Sequence, residues 1–283
     1  MPLEPTSVQR DKMLSRGKTK QSLVQFLVLK DPEDFLEYLE VTKQAVLTQG
    51  GTRDHQFKID QLLTAGKLPY HFLTIDNYPS SQALLLAHEN MREIRSAALD
   101  EIYGMIVKSN PAIKKLTKGL GFLSSFLTNI LGTGEVKRIE QISASTSRLD
   151  PETDPDPGKV VKFSSKKLDE PFYMMNLNQF SPGNKQRTGG KAAYNQYSAR
   201  IMPRLISVGG YPDIYGEILG TYIGDQKSQL FSRWDDFALV YYPSRTNFLR
   251  LMTNTPRGAA EIRRAGLKKV VLMPCSKLKT NSP

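Results

Sequence analysis

Apolar and polar positions follow the same order in two stretches of the chain. In the first stretch an extended apolar run at residues 23–29 precedes a helix-period segment that ends at the double glycine 50–51. In the second, an extended run at residues 172–177 precedes a helix-period segment that ends at the double glycine 209–210. Because glycine tolerates the positive backbone angles that stop a helix, both segments are predicted to be helices that end there.

The tripeptide Tyr-Pro-Ser closes a β-branched and aromatic run in each stretch, in HFLTIDNYPS and in FALVYYPS. Such runs are typical of strands, and Ser80 and Ser244 are predicted to cap the helices that follow. A last extended run, EIYGMIV or KKVVLMP, completes each stretch. The predicted order is βαββαβ twice, the ferredoxin-like plan of a four-stranded antiparallel sheet with two helices on one face.

The two stretches also correspond residue by residue, which indicates an internal duplication. Registering the double glycines places Phe35 on Tyr194 and Tyr38 on Tyr197 without a gap. Each sheet would leave one apolar face open, so we predict that the two faces cover each other. The side chains expected on these faces are Phe26, Val28, Phe72, Tyr173, Met175, Phe237 and Leu239.

The predicted fold class is α+β, with two ferredoxin-like units packed sheet to sheet as an intramolecular barrel. The predicted parts are a flexible basic arm at residues 1–20, a first ferredoxin-like unit at 21–110, a connector at 111–170, a second unit at 171–276 and a tail at 277–283. No oligomer is required to complete such a barrel.

The connector has two characters. Residues 143–158 are rich in Ser, Thr, Asp and Pro and are predicted to be irregular or mobile. Residues 116–131 form an amphipathic apolar segment that is too short and too interrupted to span a bilayer, which needs about 20 apolar residues. Three alternatives remain for this segment: packing on the barrel, peripheral contact with a partner or membrane surface, or a lid over a pocket.

Composition restricts the function classes without selecting one. The chain has 283 residues, 39% of them apolar, and a formal charge of +11, which would attract nucleic acid, anionic lipid or an acidic ligand. The amino terminus lacks the apolar run of a secretory signal, so we expect a cytoplasmic location. The single cysteine, Cys275, excludes an internal disulfide and a multi-cysteine zinc site, and we interpret it as a buried or idle thiol.

Four segments of residues 171–275 resemble the bacterial domain-of-unknown-function family 1330, of the dimeric α+β-barrel superfamily: MMNLNQF, AAYNQYSARIMPRLISVGG, RWDDFALVYYPSRTNFLRLM and EIRRAGL. The resemblance is weaker at residues 21–110, which lack the asparagine-rich first strand and the Trp-Asp pair. It implies two units that pack sheet to sheet and enclose a cavity. It also implies ligand sites inside the sheet sandwich or between sheet and helices.

Polar side chains on otherwise apolar strands are therefore the candidate site residues. Asn176 and Asn178 share one face of a strand, where their amides would orient a carbonyl or carboxylate if that face lines the cavity. If the face lies toward the helices or the rim, they would only satisfy backbone groups. Asp235 beside the apolar ring of Trp234 has the surroundings of a general base, or else lies in a solvent-exposed turn.

Further candidates lie on the second unit. Tyr194, Tyr197 and Tyr215 would either donate hydrogen bonds into a pocket or form part of a half-buried core. Arg187, in a glycine-rich insertion that lacks the spacing of a phosphate-binding loop, would contact an anionic ligand or lie in a solvated loop. The predicted catalytic residues are Asp235 and Tyr194, and the predicted ligand-binding residues are Asn176, Asn178, Tyr197, Tyr215, Trp234 and Arg187.

The three histidines, His55, His71 and His88, all lie in the first stretch and form no spaced metal motif. We predict no metal and no cofactor. His71 is the histidine whose strand position favours an inward orientation.

Three function hypotheses follow. The first is a cofactor-independent isomerase, decarboxylase or oxygenase acting on a small carbonyl or carboxylate compound. The second is a non-catalytic interaction or membrane-surface protein that uses the apolar connector. The third, RNA binding, is disfavoured because the chain lacks the signature of RNA-recognition strands and its sheet faces are predicted to be covered. We favour a small-molecule ligand in a pocket of the second unit, with catalysis left open.

Overall fold

The computed structural model describes residues 3–17, 19–31, 35–109, 115–117, 119–120, 149–165, 167–182, 190–256 and 258–278. The elements of the first half are α1 (Ser7–Leu14), β1 (Gln21–Leu29), α2 (Phe35–Thr48), β2 (Thr52–Ile59), β3 (Phe72–Tyr78), α3 (Ser81–Asn90), α4 (Arg92–Ala98) and β4 (Leu99–Ser109). Those of the second half are α5 (Pro157–Ser164), β5 (Phe172–Phe180), α6 (Gly190–Ser207), β6 (Tyr211–Ile223), β7 (Asp236–Tyr242), α7 (Arg245–Thr253), α8 (Ala259–Gly266) and β8 (Leu267–Lys277).

The eight strands form one closed antiparallel barrel in the order β1-β3-β2-β8-β5-β7-β6-β4. Each half contributes a four-stranded sheet in ferredoxin-like order, and two seams join the sheets. One seam pairs β4 with β6, from Gly104–Ile223 to Ser109–Gly216, and the other pairs β2 with β8, from Phe57–Lys277 to Ile59–Cys275. The fold is therefore α+β, with two ferredoxin-like units closed into an intramolecular barrel.

Apolar side chains from all eight strands fill the barrel interior, so the open face of each sheet is covered by the other half. Among the predicted interior residues, Phe26, Met175, Phe237 and Leu239 are fully buried there, and Val28 and Tyr173 pack against them partly buried. The prediction for Phe72 was wrong. Its ring stacks on Phe35 of α2, on the helix side of the sheet, because the interior positions of β3 are Leu73 and Ile75.

The predicted helix ends are confirmed. Ser80 and Ser244 each accept a hydrogen bond from a backbone N–H three residues later, and Gly50 and Gly209 have φ angles of 70° and 75°. The structure adds one helix to each half of the predicted order. In the first half α3 ends at Asn90 and α4 begins at Arg92, and in the second half α8 lies between α7 and β8. The order in each half is therefore βαββααβ.

The amino-terminal segment was predicted to be a flexible arm, and the structure shows a helix docked on the barrel. Thr6 and Gln9 form a capping box at the start of α1. The Gln9 side chain donates to the carbonyl of Gly224 at 3.0 Å, and Arg16 donates to the carbonyl of Leu219 at 2.7 Å. Sequence reasoning missed this because the contacts join segments about 200 residues apart.

We expect Met13→Ala to lower the free energy of unfolding by about 2–5 kcal/mol, because Met13 is 2% exposed and packs in the core of the first half. Leu14, its neighbour on α1, is 46% exposed, and Leu14→Ala should change stability by about 0.5 kcal/mol or less. Urea denaturation of the two variants gives the comparison. Equal, small losses would show that α1 does not dock in solution.

Most of the connector lies outside the described residues, including nearly all of the apolar segment 116–131, so its three alternatives stay predictions. Residues 149–156 are described. This stretch was predicted to be irregular or mobile, but Asp154 is held in place by side chains of α8. Its carboxylate accepts hydrogen bonds from Arg263 and Arg264 of α8, at 3.4 and 2.7 Å. No helix among the described residues is both long and apolar enough to cross a membrane.

Cys275 is fully buried in the barrel interior, where burial raises the pKa of its thiol well above the usual value. The inward orientation predicted for His71 was wrong, since His71 precedes β3 and is exposed at the rim. The buried histidine at the barrel end is His55 on β2, whose Nε2 lies 2.9 Å from Asp213 Oδ2 on β6. This contact joins strands on opposite sides of the barrel.

Candidate functional site

A cavity lies between the outer face of the second-half sheet and helices α6 and α7, in two adjoining compartments of ≈ 180 and ≈ 370 Å³. We call it the sheet–helix cavity. The side chains that line both compartments are Asn176, Tyr194, Tyr197, Ile201, Tyr242 and Leu251.

Strand alternation explains why polar groups reach this cavity. Met175 and Leu177 point into the barrel interior, so Asn176 and Asn178 point to the opposite face, toward α6. Of the two alternatives for these asparagines, they face the helices. That side nevertheless encloses a cavity, because α6 presents half-buried Tyr194 and Tyr197 to the sheet instead of packing on it closely.

Asn178 is at the centre of a hydrogen-bond network at one end of the cavity. Its Nδ2 donates to Asp236 Oδ1 at 2.7 Å and to the Tyr194 hydroxyl oxygen at 3.0 Å. The Tyr215 hydroxyl donates to Asp236 Oδ2 at 3.0 Å. The β5–β7 register pairs Asn178 directly with Asp236, so the network follows from strand pairing.

Burial raises the pKa values of two groups in this network, Asp236 and Tyr194. Asp236 is 4% exposed, and desolvation raises its pKa to about 6, although the hydrogen bonds from Asn178 and Tyr215 favour the charged form. Burial also raises the pKa of Tyr194 well above the usual value, and the nearby Asp236 carboxylate adds to this. Asp236 therefore changes its charge near neutral pH, whereas Tyr194 stays a neutral hydrogen-bond donor.

The polar groups that line the cavity include two that remain available to a ligand. The Tyr194 hydroxyl accepts from Asn178, and its own proton has no acceptor among the described residues. The Asn176 amide nitrogen donates to the carbonyls of Met174 and Ala238, at 3.1 and 3.4 Å, and its Oδ1 accepts no hydrogen bond from the described residues. The site thus offers at least one donor and one acceptor on a mainly apolar and aromatic wall.

The first half has the same strand geometry, so its corresponding positions can be identified. Tyr78 pairs with Gln21 just as Tyr242 pairs with Phe172, and the double glycines align α2 with α6. In this register, the positions of Asn178, Asp236 and Tyr194 are occupied in the first half by Leu27, Phe72 and Phe35. These are apolar, and the Phe35 and Phe72 rings stack at 3.5 Å between centroids.

The rest of the corresponding space in the first half is filled by an ion pair. Pro212 and Val240, which line the cavity, correspond to Arg53 and Asp76. Arg53 donates to both carboxylate oxygens of Asp76, at 2.7 and 2.9 Å, and reaches Thr42 of α2 at 2.9 Å. The contrast shows that the cavity belongs to the side chains of the second half and is not imposed by the fold.

The structure brings together five of the predicted site residues at this cavity: Asn176, Asn178, Tyr194, Tyr197 and Tyr215. Asp235 and Trp234 line a separate cavity in the barrel wall. Asp235 accepts a hydrogen bond from the Phe180 backbone N–H at 2.7 Å, and the Trp234 indole donates to the Leu230 carbonyl at 2.8 Å. Arg187 lies outside the described residues.

Asp236 is the site residue that sequence reasoning missed. The alternation of side chains along β7 could have identified it. Asp236 lies on the same strand face as Ala238 and Val240, which line the cavity, whereas Asp235 precedes β7 and lies on the other side. No group of three or more His, Cys, Asp or Glu side chains that would hold a metal ion occurs in the described part of the chain.

No family model and no curated protein matches the chain. Among solved structures, it is similar to a protein of unknown function from Rhodopseudomonas palustris, with 25% identity over 47% of this chain and 98% of that one and a TM-score of 0.39. It is also similar to an anthrone oxidase-like protein, with 9% identity over 93% and 92% of the two chains and a TM-score of 0.43. A mutant chlorite dismutase from Candidatus Nitrospira defluvii shows 7% identity over 94% and 95% and a TM-score of 0.45. These are likenesses of fold.

Proposed function

We propose that this protein binds a small, mostly apolar carbonyl compound in the sheet–helix cavity. The observation that supports the proposal is the contrast between the halves. Where the first half has stacked phenylalanines and a buried ion pair, the second has a hollow lined by Asn176 and Tyr194. A concave, mainly apolar site with a few convergent polar groups is typical of small-molecule binding.

In this proposal the ligand carbonyl accepts a hydrogen bond from the Tyr194 hydroxyl, and a neighbouring donor on the ligand contacts Asn176 Oδ1. The ligand body lies among Tyr197, Ile201 and Leu251. A neutral ligand is favoured over a carboxylate, because Asp236 is negatively charged above about pH 6 and lies behind Asn178 at the same end. Asp236 orients Asn178 and Tyr215 and is not itself proposed to contact the ligand.

We also propose that the chain is a duplicated relative of family 1330. Four segments of the second half support this: MMNLNQF on β5, the α6 sequence with its double glycine, the β7–α7 sequence, and EIRRAGL. The matching order of elements in the two halves supports the duplication.

Acetophenone and ethylbenzene, an aromatic ketone and a hydrocarbon of similar shape, test the ligand proposal. We expect Tyr194→Phe to weaken acetophenone binding about tenfold, because one hydrogen bond contributes about 1–1.5 kcal/mol. Binding of ethylbenzene should be unchanged in the same variant. Isothermal titration calorimetry on the full chain measures both.

A matched control comes from the first half. Tyr38 on α2 corresponds to Tyr197 on α6, but it is buried in a filled core, so Tyr38→Phe should leave both affinities unchanged. Ile201→Trp, which places a large ring in the cavity, should abolish both. Binding of both compounds that survives Ile201→Trp, or acetophenone binding that is indifferent to Tyr194→Phe, would contradict the proposal.

A further inference from the structure

Strand β6 extends beyond β7, and this leaves an opening in the barrel wall. The β6–β7 ladder ends at the pair Glu217–Asp236, after which β6 continues to Ile223 paired with β4. Beside this free stretch lies a cavity of ≈ 480 Å³, which we call the barrel-wall cavity. Side chains around it include Lys12, Met105, Lys191, Thr221, Arg233 and Trp234.

The deep side of the barrel-wall cavity is apolar and aromatic. Trp234 is 4% exposed and Met105 is fully buried, and both belong to the cluster that fills the barrel interior. Phe180, at the end of β5, adds a second aromatic ring to the lining. The cavity therefore reaches from the surface to the barrel core.

The outer side carries an excess of positive charge. Lys12 lies on α1, Lys191 on α6 and Arg233 in the segment before β7, and their side chains form no ion pair or hydrogen bond with any other described residue. The acids at the cavity are Glu217 and Asp235, and Asp235 already accepts a hydrogen bond from the Phe180 N–H. Unpaired cations over a partly apolar hollow attract anions more strongly than the same cations on an open surface.

The position of Lys12 is set by contacts of its own helix. Met13 is buried, and Gln9 and Arg16 hold α1 on the backbone of β6. Gly220 of β6 has a φ of 147°, and a Cβ there would lie 3.1 Å from Lys12 Nζ. Glycine at this point leaves room for the ammonium group against the strand.

We propose that the barrel-wall cavity is a second ligand site, which binds a small organic anion with a planar apolar body. The anionic group contacts Lys12, Lys191 and Arg233, and the planar body lies against Trp234. This site is separate from the sheet–helix cavity and shares no lining residue with it.

Trp234 is the single tryptophan of the chain, so its fluorescence reports on this cavity. Benzoate and benzamide, a planar anion and its neutral amide, are the probes. We expect benzoate to change Trp234 fluorescence saturably and benzamide to bind at least about tenfold more weakly. Lys12→Met and Lys191→Met should each weaken benzoate binding about tenfold, the loss expected for one charge-assisted contact.

Lys162→Met on α5 is the matched control, since it removes the same charge from an exposed position on another face. It should leave benzoate binding unchanged, and so should Tyr194→Phe. Absence of a saturable response, equal binding of benzamide, or equal loss in Lys162→Met would overturn the inference. Loss of the benzoate response in Tyr194→Phe would assign benzoate to the sheet–helix cavity and also overturn the inference, whereas the proposed binding of a ligand by Tyr194 would still stand.

Discussion

Asp76→Asn is expected to lower the free energy of unfolding by about 3–5 kcal/mol, because it leaves the Arg53 guanidinium buried without its counter-charge. The Arg53 side chain is 4% exposed and that of Asp76 is fully buried. Gln25 also donates to the Asp76 carboxylate, at 3.2 Å, and loses part of that contact. Urea denaturation at pH 7 measures the effect.

A double replacement separates the charge from the packing. Arg53→Met with Asp76→Leu removes both charges together, and we expect it to be more stable than Asp76→Asn alone. Glu170→Gln is the control for an exposed ion pair, with Lys167, and should change stability by about 0.5 kcal/mol or less. A loss in Asp76→Asn as small as that of Glu170→Gln would contradict the buried ion pair.

Asp236→Asn is expected to remove a pH-dependent loss of stability. The folded-state pKa of Asp236 is raised to about 6, against an ordinary value of 3.8 for an aspartate, so the folded state binds the proton more tightly than the unfolded state. The resulting stabilisation is complete below about pH 4 and is lost as the pH rises through about 6. The advantage of Asp236→Asn over the wild type should grow across this range by about 3 kcal/mol and stay constant above it.

Denaturation curves of both proteins between pH 4 and 8 test this. Tyr215→Phe gives a second, directional check, since it removes a hydrogen bond that favours the charged carboxylate. The pKa of Asp236 should rise further in that variant, and the loss of stability should extend to higher pH. A difference between Asp236→Asn and wild type that does not vary with pH would mean that the carboxyl is solvated.

Local patterns predicted much of this fold because they act over a few residues. Helix caps at Ser80 and Ser244 and stops at Gly50 and Gly209 depend on backbone groups close in sequence, and all four were confirmed. The packing of the two sheets could also be predicted, because each unit had one apolar face without cover.

Other features depend on register and on partners distant in sequence. Phe72 was predicted on the wrong face of its strand, and Asp235 was predicted as a site residue in place of Asp236, because a shift of one residue along a strand moves a side chain to the opposite face. No single residue predicts the cavity. It depends on Pro212 and Val240, which occupy the positions that Arg53 and Asp76 fill in the first half.

A barrel built from a single polypeptide can change on one side alone. In a symmetric pair of identical chains, every substitution occurs in both subunits. A substitution that enlarges a binding cavity in one subunit would therefore also remove packing at the same position of the other. Here Arg53 and Asp76 fill the corresponding space in the first half, while the residues around Tyr194 in the second half are free to vary. Rigidity and recognition can therefore evolve separately in one molecule.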